Sequence, residues 1–134
     1  LHMPIRTPLL ICIACTTLAV ATACSSPKRR GDMQAPINHV VLIDLEDPAY
    51  TQELLNDCEK YLAPIPSVIT YWAGSPLDIG RGDAVDGNYD VGLCVGFTDV
   101  EGLREYGSDP GHVLLVDKWK NRWIKARIFD VMRP

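Results

Sequence analysis

The chain is short of positive charge, short of histidine, and has no apolar run long enough to span a bilayer. Its 134 residues hold 13 Lys and Arg against 17 Asp and Glu, a net charge of −4. That sign lacks the electrostatic footprint of a nucleic-acid binder, so no nucleic-acid partner is expected. There are three histidines and five cysteines. Beyond residue 24 only His39, His112, Cys58 and Cys94 remain. They are too dispersed for a metal-ligand cluster, so no metal and no cofactor is expected. The Gly80-Arg81-Gly82-Asp83 segment lacks the following Lys-Ser/Thr of a phosphate-binding loop. The apolar stretch Leu9–Ala23 has 15 residues, against the roughly 20 a membrane-spanning helix needs.

That short stretch fits the apolar core of a secretory signal, with Arg6 as the charge before it. Ala21-Thr22-Ala23-Cys24 resembles a bacterial lipobox, which implies cleavage before Cys24 and lipidation of its thiol. Residues 1–24 therefore read as a signal peptide and 25–36 as a flexible linker, with a Lys28-Arg29-Arg30 cluster. The expected location is the periplasmic face of a bacterial membrane. The alternative is a secreted or soluble periplasmic protein cut after Ala23. Cys12 and Cys15 fall inside the signal, so their spacing is no redox motif. Cys58 on an apolar helix and Cys94 on a strand read as buried free thiols.

From Ile37 onward the composition, 47% apolar and 22% charged overall, is that of one folded domain. Ile37–Leu45 reads as a strand apolar on both faces, which needs cover on both. Asp47-Pro48 opens a helix with Leu54, Leu55, Cys58, Tyr61 and Leu62 on one side. Val68–Ala73 is a second strand. A glycine- and aspartate-rich connection over 74–88 leads to a third, Tyr89–Phe97. Tyr89, Val91, Leu93, Val95 and Phe97 share one face there, and small residues fill the other. Thr98 and Glu101 form a capping box for a short helix that Gly107 ends. Asp109-Pro110 starts another, with His112, Leu115, Val116 and Trp119 in one stripe. Trp123–Val131 is the last strand. The order β-α-β-β-α-β predicts an α+β, ferredoxin-like sheet with helices on one face. Its other face, also apolar, is most simply covered by a second copy, giving a dimeric α/β barrel and a homodimer.

Ile37-Asn38-His39-Val40-Val41-Leu42, Pro76-Leu77-Asp78 with Gly80-Arg81, Tyr89-Asp90-Val91, and Tyr106 to Trp119 with Asp109-Pro110 and His112 resemble the stress-responsive A/B barrel (Dabb) domain, over 37–132. The resemblance implies a dimeric barrel and no single reaction. It implies a stress-response type module that binds a small hydrophobic molecule. A plant branch of the family cyclises polyketides with a histidine and a tyrosine, which match His112 and Tyr106. His39 matches a histidine lining the same cavity. Val91 stands where that branch has a further histidine. The alternative is thus a cyclase or cofactor-independent monooxygenase using His112 as base and Tyr106 as oxyanion partner. Against it stands a purely structural role for both histidines.

The lipobox reading has a direct check. A fatty-acid label fed to cells should be incorporated into the chain and lost in Cys24→Ala. Equal labelling of both would sink it.

Overall fold

The computed structural model describes residues 34–134. The segments read as a signal peptide and a linker, Cys24 included, lie outside those residues but for residues 34–36. Ala35 is buried, and the Pro36 carbonyl accepts the amide of Arg133.

Four strands form one antiparallel sheet: β1 (Ile37–Leu45), β2 (Thr70–Gly74), β3 (Val91–Phe97) and β4 (Trp123–Met132). They lie in the order β2-β3-β1-β4. Helices α1 (Thr51–Tyr61), α2 (Val100–Ser108) and α3 (Pro110–Trp119) connect them. This is the ferredoxin-like order expected, with the second crossover made of the two helices read there, α2 and α3. Strand alternation sets the layers. Val41, Ile43 and Leu45 of β1 and Val91, Leu93, Val95 and Phe97 of β3 are buried against the helices. Each such side chain contributes about 1.5–3 kcal/mol relative to exposure.

Three local expectations change. Asp47-Pro48 opens a 3-10 turn, Pro48–Tyr50, before the α-helix begins, although the Asp47 carboxylate does accept the Ala49 amide. The cap of α2 is Asp99, whose Oδ1 accepts the Gly102 amide at 2.8 Å, and not Thr98. α2 also runs past Gly107 to Ser108, because Asp109 supplies the break for both helices.

The helix layer is locked by one carboxylate. Asp57 sits on the buried side of α1 and accepts Nε1 of Trp119 at 2.8 Å and Nζ of Lys118 at 2.6 Å. Trp119 is fully buried, and Arg122 stacks on it and on Tyr50. At the other end of α3, Gly111 touches α1 so closely that a Cβ there would overlap the Tyr61 carbonyl oxygen.

Cys58 and Cys94 are both free. The sheet separates them, since Cys58 faces it from α1 while Cys94 lies on the opposite face. Only Cys58 is buried, and Cys94 is half-buried. The open face also carries Gly96, where a Cβ would overlap Thr70 Oγ1 and Ala35 Cβ.

Removing the Asp57 carboxylate leaves a buried indole N–H without an acceptor, so Asp57→Ala should cost about 2 kcal/mol in denaturant unfolding. Burial raises the Asp57 pKa, but the hydrogen bonds from Lys118 and Trp119 outweigh it and hold the carboxyl below its usual 3.8. A depressed carboxyl stabilises fully above its unfolded pKa and loses that contribution as pH falls through the folded one. The gap between wild type and Asp57→Ala should therefore narrow below about pH 4. A gap that stays constant down to pH 2 would contradict the assignment.

Candidate functional site

A cavity of about 200 Å³ lies between the sheet and helices α1 and α3. Its wall is almost wholly hydrocarbon, with Val41, Ile43 and Leu93 from the sheet and Leu115 and Val116 from α3. Its volume is about that of seven waters, below the range for drug-sized ligands. It therefore suits a small apolar molecule.

Three polar side chains line it: His39 from β1, Tyr106 from α2 and His112 from α3. The sequence singled out all three, and the fold brings them together. The Tyr106 ring lies between the two imidazoles, with centroid separations of 5.7 Å to His39 and 4.7 Å to His112. Phe97 backs it at 5.2 Å. Topology explains the meeting. His39 points to the helix side of a central strand, and the Asp109 break between α2 and α3 turns the chain so that Tyr106 and His112 converge.

Each histidine has its tautomer set by an acceptor. His112 donates from Nδ1 to the Gly107 carbonyl at 3.1 Å. His39 donates from Nδ1 to Oδ1 of Asp130 on β4 at 2.7 Å. In a neutral ring the opposite nitrogen, Nε2, then carries the lone pair that takes a proton. Asp130 was not foreseen. It lies directly across from His39 in the β1–β4 pairing, and only the register of that pairing reveals it.

Burial pushes His112 below its ordinary pKa of 6.5; the Gly107 carbonyl opposes this and His39 reinforces it. Burial also pushes the Tyr106 phenol up, so it stays protonated as a donor. Cys58 lines the same cavity, but burial, aided by Asp57, raises its thiol to about 12, which removes it as a nucleophile. Trp123 lines the cavity too, and its Nε1 is buried with no partner among the described residues. Of the other aromatics, Trp119 belongs to the core and Trp72 to the open face of the sheet. Among the described residues no group of three or more His, Cys, Asp or Glu is placed to hold a metal ion. No described helix is long and apolar enough to cross a membrane.

A four-stranded antiparallel sheet in this order, with helices on one face, defines a ferredoxin-like α+β domain. Within that class the chain belongs to the stress responsive A/B barrel domain family, whose profile matches residues 37–133. Solved structures agree on the fold. A Dabb family protein with a ferredoxin-like fold from Mesorhizobium loti is 24% identical, with 75% of this chain and 99% of that one covered at a TM-score of 0.62. A dimeric ferredoxin-like protein of unknown function from Thermobifida fusca is 21% identical, covering 72% and 90% at 0.61. A hydroxynitrile lyase from Passiflora edulis is 13% identical, covering 73% and 93% at 0.62. No curated protein matches the chain.

The site electrostatics make a prediction. In pH titration by NMR, the His112 imidazole should have a midpoint below 6.5, the ordinary value. Any stability gained by burying the neutral ring should fall as pH drops below that value. A midpoint at or above 6.5 would contradict the half-buried, neutral assignment.

Proposed function

We propose that this domain binds a small, mainly apolar molecule in the cavity between sheet and helices, as one half of a face-to-face homodimer. The observation that carries the reading is the apolar cavity with His39, Tyr106 and His112 in its wall. The dimer is supported by the open sheet face, where Trp72, Phe129 and Val131 are 58%, 50% and 56% exposed. A lone chain has no reason to present three large apolar side chains on one flat face. The Thermobifida fusca relative described as dimeric has the same fold. A lipid at Cys24, with residues 25–36 as the tether, would place the domain at the outer side of the cytoplasmic membrane or beyond.

A second reading follows from the tautomers. A neutral His112 with Nε2 as base and a protonated Tyr106 are the two groups that enolisation needs. His112 takes the proton on the carbon next to a carbonyl. The bonding pair moves onto the carbonyl oxygen, which Tyr106 holds by hydrogen bond. The enolate carbon then attacks a second carbonyl carbon of the same molecule, and the imidazolium returns its proton to the new alkoxide. The Passiflora edulis lyase supports the fold as a host for reactions.

Exchange of α-hydrogens tests this without knowing the substrate. In D₂O, the methyl hydrogens of acetophenone should exchange faster with the protein present, followed by proton NMR. His112→Ala should lose about 100-fold of that acceleration, and Tyr106→Phe a smaller share. If acetophenone raises Tm but His112→Ala exchanges it as well as wild type, the cavity binds without this chemistry. If acetophenone neither binds nor exchanges, both readings fail for neutral aryl ketones.

A further inference from the structure

The cavity lacks one wall. β4 lies at the free edge of the sheet, so Ile128, which lines the cavity, is still 58% exposed, and Ile124, at the bulge near the start of the same strand, is 70% exposed. The same chain carries a second unexplained apolar pair. On the connection between β2 and β3, Leu77 is 75% and Ile79 60% exposed in a segment otherwise rich in glycine and aspartate.

We propose that the 75–85 loop of each protomer is an arm that closes the cavity of the other, packing Leu77 and Ile79 over Ile128 and Ala126 of the partner subunit. The proposal rests on the face-to-face dimer above. Three observations lead to it. First, the base of the loop is pinned on the open side of the sheet. Arg127, on the face opposite Ile128, holds the Asp86 carboxylate and the Asn88 carbonyl. The Asp90 carboxylate accepts the Leu45 amide at 2.7 Å. The loop therefore leaves the sheet on the side where a second sheet would pack. Second, Gly80 and Gly82 have φ of 73° and 53°, a left-handed backbone that suits glycine. They turn the chain just after Ile79, so the apolar pair sits near the loop tip.

Third, the symmetry brings the two pairs together in one arrangement only. Where the strands of two stacked sheets are aligned, a two-fold axis between them runs either along the strands or across them. Along the strands, β4 of one protomer lies over β2 of the other. The loop, which follows Gly74, then falls at the same end as Trp123–Ile128, because Gly74, Gly92, Leu42 and Arg127 are in register across the sheet. Across the strands, the loop falls at the far end, and both apolar pairs stay in water. Stacked sheets are about 10 Å apart. Five or six extended residues reach on the order of 18 Å, enough to pass the β4 edge.

Cross-linking of the full chain tests the arm. Ile79→Cys and Ile128→Cys are made singly in a Cys94→Ser background, mixed and oxidised, and the bridge is located by peptide mass spectrometry. Since each chain carries one new thiol, a 79–128 bridge in the mixture joins two chains. That bridge at doubled mass is the expected result, with none from Ile69→Cys at the opposite end. A dimeric mass in light scattering without the bridge overturns the arm and leaves the dimer standing. A monomeric mass at micromolar concentration overturns both. As a second measure, Leu77→Ser with Ile79→Ser should keep the dimer and speed deuterium uptake over 123–128. Unchanged uptake would count against the arm.

Discussion

The Asp57 carboxylate governs the helix layer. It is a buried charge, which costs several kcal/mol unless it is paired. Trp119 and Lys118 supply the pairing, and both belong to α3. The cost of desolvating Asp57 is therefore offset only when α3 lies against α1. That fixes one end of α3. The other end is fixed by the near contact of Gly111 with the Tyr61 carbonyl. With both ends held by α1, the middle of α3 is placed over the sheet without filling the space beneath it. Leu115 and Val116 form the roof of the cavity as a result, and His112 is presented at its rim. The cavity is a consequence of how two helices are clamped at the two ends of α3.

The sheet was legible in the sequence because alternation is a strong signal. β1 has the limits read from its residues, and Val91, Leu93, Val95 and Phe97 are buried as the period of two requires, whereas Tyr89, read as the first residue of that face, precedes β3 and lies against Gly92 on the open side. The Asp-Pro breaks were legible for the same local reason. The clamp was not. Asp57 is a charged residue on a helix, which reads as solvated. Its position three residues after Leu54 and four before Tyr61 puts it inside the apolar stripe, and that was the available signal. The cap of α2 was misread because Thr98 and Asp99 are adjacent, and the choice rests on which oxygen reaches an amide three residues on. Asp99 reaches Gly102. His39, Tyr106 and His112 were found as single residues through the family resemblance. Their convergence depends on tertiary structure, and Asp130 depends on register across 91 residues of chain.

The chemistry of the site follows from its dryness. In a cavity with an apolar wall, a charge is costly, so burial keeps His112 unprotonated and Tyr106 protonated. A neutral base and a neutral acid side by side can move a proton through a substrate without either starting as an ion. A histidine at the protein surface would be partly protonated at the same pH, whereas the lowered pKa of His112 keeps its ring free to accept. His39 differs, because its proton is directed to the Asp130 carboxylate, which is in contact with solvent. The two histidines thus have unequal environments around one tyrosine, and unequal roles are the physical consequence.

A single strand joins this site to the proposed dimer. On β1, His39, Val41 and Ile43 face the cavity, while Asn38, Val40 and Leu42 face the open side. Side chains alternate strictly, so neither face can change register without exchanging places with the other. A one-residue slip would put His39 into the interface and Val40 into the cavity, destroying both at once. Cover on the open face therefore does more than remove apolar surface from water. By holding Val40 and Leu42 against a second sheet it would penalise any slip of β1, and so fix His39 against Asp130 and Tyr106. In this fold, the proposed dimer and the order of the site would both follow from the same alternation.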